Sequence, residues 1–418
     1  MRRRMIAAAT LTAVGLLSAL PAGADLAHPA VVSPDPVDTT PHVLDGSVRA
    51  IAVVGRTVVV GGDFSEVTDA RGTSQYRRHG LFAYDLVTGA VLRFAPSVDG
   101  SVYALAAGPN GSVYVGGAFQ SVNGTAQRGL TQLSLATGAR VPGFTASINY
   151  GDVRSLVSNG PWLYAGGTFT KIGGAYRTAL ARLSGTTGAA DPAFDLGLAA
   201  PTLSRAKVED LTVSPDGSRL VAIGAIQEAG GQYRAQLVMA DTPAGAPARV
   251  ADWYTNAYTP PCRAGFETYL RGVDFSPDGA YFVVVTTGRT TGANLTCDTA
   301  IRFETAGRGL HNPTWVNHTG GDSLYTVSVT GAAVYVGGHQ RWMNNAHGFE
   351  AAGPGAVSRQ GIAALNPTTG LANEWDPTRD RGIGVKAMVA TPNGLILGSD
   401  TERLGREYHG RLGMFPLR

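Results

Sequence analysis

The 418-residue sequence carries 34 Lys and Arg against 31 Asp and Glu, a formal net charge of +3. A balance so near neutral leaves no electrostatic footprint for nucleic acid or for an anionic membrane surface. Its 56 Gly and 23 Pro suit an all-β, turn-rich chain and argue against long helices.

The chain opens on a basic head, Arg2–Arg4, an apolar stretch, Met5–Leu20, and the small residues Ala22-Gly23-Ala24 before Asp25. The apolar part is too short and too rich in small residues for a membrane anchor. Residues 1–24 therefore read as a secretory signal peptide, with 25–418 as the mature chain. No Cys stands at the cleavage site, which speaks against lipidation, and no later segment has the length to cross a bilayer. A secreted, extracellular protein without membrane insertion is expected. Cys262 and Cys297 are the only cysteines, an even number that reads as a disulfide outside the cytoplasm. Closing that loop contributes roughly 3–4 kcal/mol in the chain-entropy picture. A thiol nucleophile or a metal-binding pair is the alternative.

The rest of the chain is built by copying one pattern, clearest in VYALAAGPNGSVYVGG at Val102–Gly117. Two apolar runs of period two flank a Pro-Asn-Gly turn, which is a β-hairpin. Copies begin near residues 48, 102, 153, 208, 270, 324 and 385, so the step lies between 51 and 62 residues. A period near fifty with several strands per period marks a propeller or a similar array. After six of the seven hairpins an arginine (78, 128, 177, 234, 359 and 411) precedes a third apolar strand, and Thr-Gly turns follow at Thr88, Thr137, Thr187 and Thr369. A fourth strand ends on Phe94, Phe144, Phe194, Trp253, Trp315 or Trp375. Four antiparallel strands per period and seven periods predict an all-β, seven-bladed β-propeller. The last repeat stops after its third strand at Gly410–Arg418, while a spare strand lies near Val37–Leu44. That strand is expected to complete the seventh blade and close the ring, pairing edges that would otherwise be open.

The four-strand unit resembles the secreted propeller proteins of actinobacteria that carry delta-60-type repeats. VYVGGAF (Val113–Phe119), VNGTAQRGL (Val122–Leu130), TGAADPAF (Thr187–Phe194), DFSPDGAYFVVVTTG (Asp274–Gly288), CDTAIRFE (Cys297–Glu304) and VYVGGHQRWMNN (Val334–Asn345) carry the likeness. The resemblance spans essentially the whole mature chain and implies a propeller fold and export. It implies little about activity.

Residues present in every copy are expected to serve the scaffold. The recurrent arginine should bond backbone carbonyls between strands. The Gly-Gly pair should allow close approach, and the terminal aromatics should pack between blades, although Trp253, Trp315 and Trp375 also suit ligand stacking. Departures from the pattern mark candidate sites. In the sixth repeat VYVGG runs into His339, Gln340, Arg341, Trp342, Met343, Asn344 and Asn345, with Trp342 standing outside a strand position. An aromatic face beside convergent donors and acceptors suits a sugar or peptide site; a loop packed on its neighbour is the bland reading. The second residue of each inner strand forms another set: Arg49, Tyr103, Arg154, Glu209, Arg271, Tyr325 and Lys386. Equal positions in a propeller form a ring, here near one mouth of the channel, suited to an anionic or polyhydroxylated ligand or to an inter-blade network.

His311, His318, His339 and His347 match no ligand spacing, so neither a metal nor a cofactor is expected. No nucleophile elbow or phosphate loop occurs. Glu209, Asp210, Asp274, Asp298, Asp322 and Glu350 are available to a two-carboxylate hydrolase, yet no spacing singles out a pair. A lyase would need a base such as His339 or Tyr325 beside Arg341. The reading that follows is a monomeric, non-catalytic binding protein for a glycan or cell-envelope partner. An extracellular glycan hydrolase or lyase with its site at the channel mouth is the alternative.

Overall fold

The structure, a computed structural model, describes residues 27–417 except Ala264 and Thr291, so the expected signal peptide lies outside the described residues. Every regular element in it is a strand. Seven hairpins have first strands at Val48–Val54, Val102–Gly108, Val153–Asn159, Lys207–Val213, Leu270–Phe275, Leu324–Val329 and Ala387–Thr391. Each pairs with a second strand, and a third adds on the far side of the second, so these are referred to as sheets one to seven. The hairpin of sheet two turns through Asn110 and Gly111, both left-handed at φ 54° and 66°. This is the conformation for which Asn-Gly is preferred between twisted strands.

The second strands read as unbroken apolar runs because both of their faces are buried. In sheet one Val58 and Val60 face sheet seven, together with Ile396 and Met414, whereas Val59 faces sheet two, together with Leu105 and Val115. Period-two alternation therefore feeds two different cores from one strand. The described residues form seven hydrophobic clusters, each shared by two neighbouring sheets, including one between sheets seven and one.

The Gly-Gly pair sets the spacing between sheets. A Cβ on Gly61 would lie 2.6 Å from the Val102 Cγ1 of sheet two, and one on Gly116 would lie 2.7 Å from Val153 Cγ1. Gly398 of sheet seven meets Val48 of sheet one in the same way. The second glycine of each pair leaves room for a carbonyl across the hairpin, that of Ser47, Ser101, Asp152 or Ser323.

The fourth strand departs from expectation. Sheets four and five have one, at Arg249–Val250 and Trp315–His318. In sheets one, two, three and six it shrinks to single bridges, Tyr84 with Val91, Leu133 with Arg140, Leu183 with Ala190 and Leu365 with Ala372. In sheets two and three the chain turns away at once through Pro142 and Pro192, which lack the N–H a ladder needs. The recurrent arginine takes the carbonyls left over. Arg177 donates to Asp191 and Phe194 at 3.0 and 2.8 Å, Arg78 to Leu92, Arg234 to Ala251, and Arg359 to Asn373. Arg128 instead reaches the Gln120 side chain. The terminal aromatics are buried, and Trp253 and Trp315 donate their indole N–H to the carbonyls of Glu304 and Pro367.

Beside the last strand, Leu412–Pro416, runs the start of the described chain: Ser33 N–H donates to Pro416 O, Val37 N–H to Met414 O and Val43 N–H to Gly410 O, each at 2.8–2.9 Å. His42–Val43 also pairs with Glu66–Thr68. Cys262 and Cys297 form a disulfide, joining the loops that precede and follow the first hairpin of sheet five. No helix among the described residues is long and apolar enough to cross a membrane.

Gly116→Ala and Gly398→Ala should each lower stability by about 1–3 kcal/mol, the cost of overpacking a close-fitted contact. Urea unfolding midpoints check this. A neutral Gly398→Ala beside a costly Gly116→Ala would show that the contact between the last and first sheets is not equivalent to the others.

Candidate functional site

In six first hairpins the register slips by one residue at the same place, between Val48 and Ala50, Val102 and Ala104, Val153 and Ser155, Val208 and Asp210, Leu270 and Gly272, and Leu324 and Thr326. The extra residue of such a bulge has its side chain re-aimed. Those residues are Arg49, Tyr103, Arg154, Glu209, Arg271 and Tyr325, and Lys386 stands just before the first strand of sheet seven. All seven line one cavity of about 310 Å³.

Within this ring Glu209 is the focus of positive charge. Arg154 reaches it at 2.9 Å, Arg271 lies 3.8 Å away, and Lys207 pairs with it too. Arg49 pairs with Asp63 at 2.8 Å and Arg154 also with Asp152 at 2.9 Å. The guanidinium groups of Arg49 and Arg154 flank the Tyr103 ring, each 5.8 Å from its centroid. The Lys386 ammonium sits 3.4 Å from the centroid of Tyr325. Burial, with Arg49, Arg271 and Arg379 nearby, pushes Lys386 down to about 8, while Asp400 opposes the shift. Deeper in this cavity Asp210 ties three sheets, accepting from Ser155 Oγ at 2.8 Å, Leu211 N–H at 2.9 Å and Val273 N–H at 3.0 Å. Asp274 likewise accepts from Val329 N–H at 2.7 Å in the next sheet.

The hairpin ends that bear the ring also bear a second cavity, of about 470 Å³. Its walls are Arg263, Phe266, Thr287 and Arg289 around sheet five, Gly321, Asp322, Ser323, His339, Arg341 and Glu350 around sheet six, and Arg381 before sheet seven. Asp322 accepts from Arg341 Nε at 2.8 Å and Nη2 at 3.0 Å, and from Arg381 Nη2 at 2.7 Å. Glu350 pairs with Arg289 at 2.8 Å. His339 joins this cleft to the ring, with Nδ1 3.2 Å from the Tyr325 hydroxyl, while Nε2 accepts from Ser323 N–H at 3.3 Å. Burial pushes His339 down, favouring the neutral imidazole that this acceptor role requires.

Of the six loop residues expected to form a site, only His339 and Arg341 line the cleft. Trp342 is not outside a strand. It lies in Trp342–Met343, paired with Val357–Ser358, and its ring packs under the Arg341 guanidinium at 4.6 Å. Asn344 Oδ1 accepts from Asn317 Nδ2 at 2.6 Å and Ala372 N–H at 3.1 Å, bracing the loop. Asn345 is buried and bonded to Thr319, Ala351 and Gly353. Gln340 is 0% exposed, and neither polar atom of its side-chain amide has a partner among the described residues. It occupies the place that Phe119 fills in sheet two. The cleft residues that sequence reasoning did not find, Arg263, Phe266, Arg289 and Arg381, sit on loops that do not repeat. The one signal near them was Cys262, adjacent to Arg263, whose disulfide holds that loop against the one bearing Arg289.

Behind the cleft wall Asp298 is fully buried, accepting from Thr290 N–H at 2.9 Å and Ser323 Oγ at 3.4 Å. Burial, and then the neighbouring Asp322 carboxylate, push it up to about 7. Among the described residues no group of three or more His, Cys, Asp or Glu is placed to hold a metal.

Residues 162–194, from the second strand of sheet three to its terminal aromatic, match a family described as "Domain of unknown function (DUF5122) beta-propeller". Every regular element among the described residues is a strand, and the match to this β-propeller family lies within sheet three. No curated protein matches it. Among solved structures it is similar to the computationally designed Ika8 protein, at 12% identity over 92% of this chain and 100% of that one, with a TM-score of 0.49.

Gln340→Phe should raise stability by about 1–2 kcal/mol, because it removes a buried amide without partners; a higher melting temperature checks it. Asp298 and Asp210, the latter pushed up to about 6 by burial, hold protons more tightly folded than unfolded. Their stabilising contribution is therefore full below about pH 4 and lost as pH rises through about 6 and 7. Asp298→Asn should flatten the fall in stability over that window, measured by urea unfolding at stepped pH.

Proposed function

We propose that the seven sheets are the blades of a seven-bladed β-propeller, closed where the segment around Val37–Leu44 runs beside the last strand. On this reading the chain is exported after loss of residues 1–24 and acts as a monomeric, non-catalytic binding protein. Its ligand is a glycan or cell-envelope component, polyhydroxylated and anionic, met by the face that bears the ring. The disulfide supports the extracellular placement, as does the resemblance to exported actinobacterial delta-60-type propellers.

The observation that carries the reading is the charge gathered by the bulges. Of the seven ring positions four are cations, Arg49, Arg154, Arg271 and Lys386, and one is a carboxylate, Glu209. Asp63, Asp152, Lys207 and Asp400 interact with them around the mouth, and Asp210 and Asp274 lie deeper in the same cavity. Lys386 has an aromatic ring, not a carboxylate, as its nearest partner, so an anion entering the mouth relieves repulsion among cations already drawn together. A hydrolase or lyase at this face would draw on Asp322 and Glu350, and both are engaged by guanidinium groups. Binding accounts for the arrangement more directly.

A glycan array and co-sedimentation with isolated cell envelopes test the reading. The double variant Arg49→Ala/Lys386→Ala should lose at least about tenfold in affinity with its melting temperature held within a few degrees, a loss of about 1.4 kcal/mol or more. Wild-type affinity should also weaken as pH rises through about 8, where Lys386 gives up its proton. Turnover of a polysaccharide panel without binding would overturn the proposal.

A further inference from the structure

We propose that the cleft beside the ring is a subsite for one acidic sugar unit, carrying a carboxylate or a sulfate, with Arg263, Arg289 and Arg381 as its anion-binding groups and Phe266 as its stacking face. This rests on the glycan-binding reading and names the ligand chemistry of that face.

The volume of about 470 Å³ lies in the lower part of the range for small-molecule sites, roughly 300–1,000 Å³, and suits one or two sugar rings. Four guanidinium groups enter the cleft against two carboxylates. The carboxylates orient the arginines without exhausting them. Arg381 spends Nε on the His339 carbonyl and Nη2 on Asp322, so its Nη1 has no bond among the described residues. Among the described residues Arg289 uses only Nε, on Glu350. Arg263 is exposed, and its guanidinium has no bond to any described residue. Five planar donors per guanidinium match the paired oxygens of a carboxylate or sulfate.

Phe266 supplies what a bare anion would not need. It is 41% exposed in a chain that buries most of its aromatic rings, and it lines the same cleft. An exposed ring beside fixed donors fits a ligand with an apolar ring face and a charged substituent, which describes an acidic sugar. The walls are set in advance. The Cys262–Cys297 bond holds the Arg263 loop, and Thr290 Oγ1, next to Arg289, donates to the Cys262 carbonyl at 3.0 Å. Pre-set walls reduce the ordering entropy that binding must offset. The His339–Tyr325 bond joins the cleft to the ring, so a longer acidic glycan would run from one to the other.

The test is calorimetric titration of the mature chain with three probes: a galacturonic acid trisaccharide, a sulfated galactose trisaccharide and the neutral galactose trisaccharide. The expected result is at least about tenfold preference for one or both acidic probes, and the two arms separate carboxylate from sulfate. Arg263→Ala/Arg289→Ala should remove that preference while leaving the melting temperature in place, and Phe266→Ala should weaken every probe. Equal affinity for neutral and acidic probes, or an arginine variant that keeps the preference, overturns the subsite and leaves the glycan-binding reading standing. A wild type that binds neither these probes nor any array or envelope component overturns both.

Discussion

Val102 against Gly61 is the contact on which the architecture turns, repeated as Val153 on Gly116, Val208 on Gly166 and Val48 on Gly398. A strand can lie this close to its neighbour only where no Cβ intervenes, so a glycine stands at this point of the second strand in sheets one, two, three, six and seven, while Ile223 and Val285 take the place in sheets four and five. The adjacent glycine then makes room for a carbonyl on its own hairpin. The first strand answers with a one-residue bulge, and that bulge swings a long side chain toward the centre. Sheet spacing and the side chains that line the shared cavity are thus linked through one steric requirement.

The charges at the mouth follow from the same geometry. Seven side chains delivered to one opening must accommodate each other whatever their chemistry. Here the aromatic members act as spacers: Tyr103 separates Arg49 from Arg154, and Tyr325 carries Lys386. Glu209 gathers Arg154, Lys207 and Arg271. Cation–π contacts and one shared carboxylate hold together a set of cations that would otherwise disperse. Beneath them Asp210 and Asp274 bond backbone N–H groups of the next sheet, doing between sheets what ladder hydrogen bonds do within one. At the periphery the recurrent arginine does comparable work, replacing a fourth strand that proline and tight turns cut short.

The cleft shows how a repeat acquires individuality. Sheets five and six keep the bulge, and sheet six keeps the close approach through Gly337, but their loops are longer and one pair is tied by a disulfide. His339 and Arg341 were visible because they interrupt a repeated VYVGG segment. Trp342, the most conspicuous residue of that stretch, serves a short hairpin, since pairing with Val357–Ser358 turns its ring onto Arg341. Gln340 shows the opposite case, a polar residue placed at a core position that Phe64, Phe119, Phe169 and Ile226 fill in the first four copies.

Seven hairpins, the packing of the terminal aromatics, the cysteine pairing and the shared position of the seven residues that line one cavity were legible in the sequence. Each is either periodic or a count, and equal positions in equal units must occupy equivalent places. The fourth strands, the partners of each charge and the Arg263–Phe266–Arg289–Arg381 wall were decided only by the tertiary structure. Those depend on where non-repeating loops cross in space, and residues more than a hundred positions apart leave no local pattern when they meet across a cleft.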